Sequence, residues 1–291
     1  MSPPDRIRGC LLLGAYGDAL GSARENISPN SVEVLRLGSI TDDTQLTLAT
    51  CESICDVRQV SPAHLAATFA SWHRQRRFTG LGSSTLKALV ELEAGQHWAL
   101  AGAKGERAAG NGAAMRIAPL AFRLNPFEDD DRRTIRDVCR ITHHHDEAYI
   151  GALAIAQAIY LVANDEPSLT ELLPRLAVSL PDSQVRDRLR ELAPLIPQRI
   201  SIAQIAQQFG NGGFVAESVP LAIYAAGIHV GAVKKTLRDL VMTGGDADTN
   251  ASLAGQILGA ALGETNLPVE AAELFAEIAA AKELIEKFAR L

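Results

Sequence analysis

The chain has 291 residues and a mass of 31.0 kDa, with 47% hydrophobic and 21% charged residues. That balance excludes intrinsic disorder, which requires low hydrophobicity with high net charge. Against 28 Lys and Arg stand 34 Asp and Glu, a net charge of −6, so no positive field gathers nucleic acid or anionic lipid non-specifically.

Alanine is frequent and aromatics are only 5%, a composition that favours helix over sheet. Apolar periodicity predicts helices over residues 7–21, 44–57, 62–76, 83–94, 112–122, 132–141 and 145–163. It predicts further helices over 169–180, 183–195, 202–208, 215–230, 232–242, 249–262 and 268–289. Pro62 and Pro268 sit near first turns, and Asp146 and Glu147 open another helix. Within 145–163 both faces are apolar, Tyr149, Leu153, Ala156 and Tyr160 on one and Ile150, Ile155, Ile159 and Val162 on the other. Such a helix is expected at the centre of the fold. Gly255, Gly259 and Gly263 share one face and predict close approach of a second backbone. No alternating strand, repeat or low-complexity linker is predicted. The reading is an all-α, single compact domain over residues 1–291.

Cys10, Cys51, Cys55 and Cys139 are too few and scattered for a disulfide framework and read as reduced, buried thiols. Residues 1–8 carry prolines and charges rather than an apolar signal core. The longest apolar run, 151–163, falls short of the ~20 residues a bilayer span needs. The expectation is a cytoplasmic protein, monomeric, without membrane or nucleic-acid partners.

Polar islands interrupt the helical pattern. Thr41-Asp42-Asp43-Thr44 precedes an apolar helix; one residue there suffices for an N-cap, yet two adjacent carboxylates exceed that need. Gly244-Gly245-Asp246-Ala247-Asp248-Thr249-Asn250 precedes another helix, and its alternating acids are of the kind that bind hard cations. If the two islands met, four carboxylates would repel one another unless cations lay between them. An all-oxygen set suits Mg²⁺, Mn²⁺ or Ca²⁺ rather than zinc or copper. About two hundred residues separate the islands, so their meeting is an inference. Gly110-Asn111-Gly112-Ala113-Ala114-Met115-Arg116 reads as a glycine turn entering a helix start, where free N–H groups hold an anion, or simply as a turn. His143-His144-His145 reads as a helix cap or surface run, with metal binding the alternative.

Taken in order, these motifs resemble the ADP-ribosylglycohydrolase family, which includes the dinitrogenase reductase-activating glycohydrolase. The matching elements are Gly14-Ala15-Tyr16-Gly17-Asp18-Ala19-Leu20-Gly21 with Glu25, Thr41-Asp42-Asp43-Thr44, and Gly110 through Arg116. Ile141-Thr142-His143 and Gly244 through Thr249 complete the set. The resemblance implies one all-helical domain with a dinuclear metal cleft holding two divalent cations, Mg²⁺ or Mn²⁺. It also implies hydrolysis of the bond joining ADP-ribose to an acceptor, which is an ADP-ribosylated protein or a small ADP-ribose conjugate, with ADP-ribose as product. Carried over by position, the metal ligands are Thr41, Asp42, Asp43, Asp246, Asp248 and Thr249. Catalytic acid–base work falls to Glu25, Asp42, Asp43 or Asp248. Gly110, Asn111, Gly112, Met115, Arg116 and His143 are implied to contact the ADP-ribose. Asp18 is expected only to tie its helix to its surroundings, and His144 to play no part.

Two features depart from the family pattern. Glu25 and Thr41 are 16 positions apart, shorter than in most relatives, which bears on a loop expected to gate the cleft. Gly80 stands where the nitrogenase-regulating branch carries an Asp near its arginine acceptor. Arginine is expected as the first acceptor and serine as the second. The competing readings are a non-catalytic ADP-ribose binder or structural protein on the same fold, as among lens crystallins, and an all-α regulatory domain with accidental acidic turns.

Overall fold

The computed structural model describes residues 3–24, 37–164, 168–228, 231–276 and 279–291. In chain order its α-helices are α1 (Pro3–Ser22), α2 (Asp42–Val57), α3 (Pro62–Arg74), α4 (Ser83–Glu93), α5 (Ala118–Ala121), α6 (Asp129–Arg140), α7 (Asp146–Ala163) and α8 (Leu172–Ser179). They continue with α9 (Gln184–Leu192), α10 (Ile202–Phe209), α11 (Val215–Ile228), α12 (Val233–Val241), α13 (Ala247–Leu262), α14 (Val269–Ala276) and α15 (Ala279–Ala289). The all-α expectation holds.

The glycine face of α13 finds its partner in α1. The two helices run antiparallel, with Gly9 against Gly259, Gly17 against Ala251 and Gly21 against Asp248. A Cβ on Gly259 would lie 2.0 Å from the Gly9 carbonyl oxygen, and one on Gly17 would lie 2.2 Å from that of Ala251. Backbone therefore packs directly on backbone, with no side chain between. The buried Arg6 guanidinium ties the seam to α7 by donating to the Val162 and Ala260 carbonyls. The α7 helix is buried on all sides, as its two apolar faces predict. At 18 residues α7 has a length and composition compatible with a membrane span, and 72% of it lies inside the protein. All four cysteines are free and buried.

Three expectations need correction. The helix predicted over 112–122 shrinks to α5. Asn111 instead donates its backbone N–H to Gly213, Gly110 bridges to Phe214, and Pro119 sits in the first turn of the short helix that follows. The segment 268–289 divides into α14 and α15. A parallel pair of two-residue strands, β1 (Ala103–Lys104) and β2 (His143–His144), was not predicted, being too short for any alternation to show. Gly102, at φ +93°, makes that pairing possible, because a Cβ there would lie 2.7 Å from the Thr142 carbonyl.

Candidate active site

The acidic motifs lie at helix starts, and helix packing decides which of them meet. The α1–α13 seam brings Asp18 of α1 beside Asp248 in the first turn of α13. Asp18 is fully buried and accepts the backbone N–H of Thr41 (2.9 Å) and Thr44 (3.2 Å) together with the hydroxyls of Thr41 (2.8 Å) and Thr44 (2.5 Å). It thereby clamps the start of α2 against the seam. Thr41 is also the N-cap of α2, with its hydroxyl accepting the Asp43 N–H. The cap and the carboxylate cluster are both present, in one motif.

The result is a group of three aspartates, Asp18, Asp43 and Asp248, whose nearest carboxylate oxygens lie within 4.8 Å of one another. Asp43 Oδ2 accepts the Thr249 hydroxyl at 3.2 Å, while Asp43 Oδ1 is buried with no hydrogen-bond partner. Burial, followed by the charges of Asp248, Asp18, Asp42 and Asp246, drives the Asp43 carboxyl well above the ordinary carboxylate range. Burial is also the main cause at Asp42, which is pushed up to about 7 against a stabilising hydrogen bond from the Gly82 N–H. Asp18 is raised by burial too, in spite of its four donors. A crowd of inward-facing carboxylates, one oxygen orphaned and no cationic side chain within the trio, suits a hard divalent cation. Asp42, Asp43, Asp246 and Asp248 all line one cleft of about 530 Å³, and Thr249 joins them. The two islands do meet.

Asp246 is held from two sides. Its Oδ2 accepts from the Asn111 side chain at 2.7 Å, and its backbone N–H donates to the Asn211 carbonyl at 3.0 Å. The Asn211 side chain in turn donates to the carbonyls of Thr243 and Gly244, each at 3.0 Å. This latch closes a turn in which Gly244 and Gly245 take consecutive left-handed conformations, at φ 69° and 68°.

The rest of the lining carries no acid. Gly110, Asn111, Gly112, Met115 and His143 belong to it, as the motifs suggest. Arg116 does not: its guanidinium is buried behind the wall, 1% exposed, where it donates to the Thr142 hydroxyl at 2.7 Å and faces the Phe69 ring. The reason is geometric, since neighbouring residues in a tight turn point in different directions. The histidine run also divides. His143 is buried in the wall, and His144 pairs with the Ala101 carbonyl. His145 is the N-cap of α7, so the cap reading holds for it. Glu25 lies outside the described residues.

Gly80 lines the cleft, as does the start of α4 that follows it (Gly82, Ser83, Ser84 and Thr85), while Arg107 and Gly212 with Gly213 escaped the motif reading. The Gly210-Asn211-Gly212-Gly213 run was their available signal, a glycine-rich turn with a single polar side chain. A larger hollow of about 760 Å³ lies elsewhere, beside α15 and the end of α2, lined by residues such as Arg58, Glu283 and Lys287. It contains none of the motif residues.

The comparisons agree with this architecture. The family model for ADP-ribosylglycohydrolase matches residues 1–291. An uncharacterized protein of Archaeoglobus fulgidus is 31% identical, over 88% of this chain and 87% of its own length. The ADP-ribosylhydrolase ARH3 of Gallus gallus is 25% identical, over 91% and 88%. The ADP-ribosylarginine hydrolase Tri1 of Pseudomonas putida is 26% identical, over 91% and 73%. Among solved structures, an ADP-ribosylglycohydrolase-related protein complex superposes with a TM-score of 0.71 at 24% identity, covering 99% of this chain and 98% of the other, a likeness of fold. Family match, fold and the acid-floored cleft converge: the chain belongs to the ADP-ribosylglycohydrolase family and is a glycosyl hydrolase.

Proposed function

We propose that this protein is a metal-dependent hydrolase of mono-ADP-ribose conjugates, cleaving the glycosidic bond to an acceptor side chain, with arginine first and serine second. The observation that carries the reading is the floor of the cleft, where Asp43 Oδ1 lies buried and unpartnered among the carboxylates of Asp18, Asp43 and Asp248. Thr41, Asp42, Asp43, Asp246, Asp248 and Thr249 would hold two divalent cations, Mg²⁺ or Mn²⁺, from α2 and α13. Asp18 would back them through the start of α2. When bound, such ions supply Lewis acidity and lower the pKa of water.

The protein's own groups orient the reaction. Breaking the bond at the anomeric carbon passes through an oxocarbenium-like state. Water adds at that carbon as the acceptor nitrogen or oxygen leaves. Asp42, which lines the cleft beside Gly80 and accepts the Gly82 N–H, would take a proton from water or return one to the leaving atom. Asp43, Asp248 and Glu25 are the alternatives for that role. The named activity of the Pseudomonas putida relative supports arginine as first acceptor.

The test is release of free ADP-ribose from arginine-modified and serine-modified peptides with Mg²⁺, with Mn²⁺ and with EDTA. Metal-dependent release, faster from the arginine peptide, is expected. Release indifferent to EDTA would remove the metal from the mechanism, and faster release from the serine peptide would reverse the acceptor order. No release from either peptide would refute the hydrolase reading for these acceptors.

A further inference from the structure

Arg116 is a buried charge that the proposed chemistry does not use. Its Nε and Nη1 have no hydrogen-bond partner, and a guanidinium stripped of water without a carboxylate is costly. Its Nη2 donates to Thr142 Oγ1 at 2.7 Å, and that same oxygen lies 2.8 Å from His143 Nδ1.

Proton counting decides the direction of this chain. A guanidinium only donates, so Thr142 Oγ1 accepts from Arg116. The single hydroxyl proton then needs an acceptor, and Thr142 is fully buried. His143 Nδ1 is the atom in place to receive it. A hydrogen on Nδ1 instead would aim two donors at the hydroxyl and strand its own proton. We propose that Arg116, acting through the Thr142 hydroxyl, is a positioning residue that fixes His143 as the neutral Nε2–H tautomer, a hydrogen-bond donor to an acceptor oxygen of the ligand in the cleft. The identity of that ligand rests on the ADP-ribose reading; the tautomer does not.

Three further observations agree. A Cβ on Gly112 or Gly110 would lie 3.2 or 3.4 Å from His143 Nε2, and neither glycine has positive φ. Glycine at these positions therefore keeps the Nε2 edge of the ring open to the cleft. Pairing of β2 with β1 holds the backbone of His143 in register with Ala103. The charged or titratable groups acting on the ring are Arg116 and His144, and burial followed by the Arg116 charge lowers the imidazole to about 3. The ring thus stays uncharged and is a donor rather than a proton carrier.

Long-range ¹⁵N–¹H NMR on histidine-labelled, metal-free protein tests this directly, comparing the wild type with Thr142→Ser and Thr142→Val. His143 is expected as Nε2–H from about pH 5 to about pH 8, retained in Thr142→Ser and lost from a single tautomer in Thr142→Val. Thr142→Val is also expected to weaken ADP-ribose binding about tenfold in calorimetry and to raise KM more than it lowers kcat, with Thr142→Ser restoring both. An Nδ1–H or charged ring in the wild type, or an unchanged tautomer in Thr142→Val, would overturn the proposal. If the valine variant does not fold, the wild-type and serine spectra decide. Failure of the wild type to bind ADP-ribose would count against the functional reading, and against the ligand half of this one, while the spectra still judge the relay.

Discussion

The floor and the wall of the cleft are built on opposite electrostatic plans. The floor gathers Asp18, Asp43 and Asp248 at a seam of helix backbones and leaves Asp43 Oδ1 without a hydrogen-bond partner. The rest of the lining presents glycines, a neutral histidine and Arg107 to the cleft and keeps a second arginine, Arg116, behind them. The contrast shows a division of labour. Negative charge is concentrated at the aspartates, while the rest of the lining offers dipoles and donors that do not compete for a cation.

The sharpest way to break the comparison is to neutralise the floor. Asp248→Asn is expected to lower turnover by about a hundredfold or more, with no loss of melting temperature in EDTA, because it removes charge and no volume. Retained activity at limiting Mg²⁺ would end the ligand assignment.

Next comes packing, where the two regions differ in what can yield. Gly259→Ala drives a methyl group into the Gly9 carbonyl, backbone against backbone, and is expected to cost about 3 kcal/mol in denaturant unfolding. Gly112→Ala meets the His143 ring at 2.8 Å, and a ring can tilt. Its stability loss is expected to be smaller, about 1 kcal/mol, with most of the effect on substrate KM. Equal unfolding costs would contradict the distinction.

The pH dependences have opposite signs. Asp42 and Asp43 titrate higher in the folded, metal-free protein than in the unfolded chain. Their contribution is therefore greatest at low pH and declines as pH rises through about 7. His143, lowered to about 3, contributes stability above the ordinary histidine value that is lost as pH falls below about 6.5. In EDTA the melting temperature is expected to fall between about pH 6.5 and about pH 8, and Mg²⁺ or Mn²⁺ to reverse that fall. A melting temperature that rises over this range in EDTA would contradict the raised floor. The smallest effect is expected outside both regions. His145→Ala removes the N-cap of α7 at a cost of about 1 kcal/mol and leaves ADP-ribose release unchanged.

Much of this arrangement was legible in the sequence because polar clusters stand out against apolar helices. Thr41 through Thr44 and Asp246 through Thr249 declared themselves in that way, and the Gly255-Gly259-Gly263 stripe announced a backbone contact. Asp18 was less legible. One acid inside a glycine-rich helix looks like a local tie, and only the seam shows that it also sits with Asp43 and Asp248. Arg116 misled because adjacency in a motif is not adjacency in space: Met115 lines the cleft and Arg116 lies behind it. The lining from Gly212 and Gly213 depends on a bridge between distant segments, Gly110 with Phe214, for which local periodicity carries no signal.

The antiparallel seam also sets a timetable for synthesis. α1 ends at Ser22, 225 residues before α13 begins at Ala247. At roughly 5–20 residues per second, the glycine-lined face of α1 leaves the ribosome about 11 to 45 s before its partner exists. The aspartate cluster is thus a late product of translation, absent until α1 and α13 close on each other. That closure joins segments of very high sequence separation, which makes it a slow step.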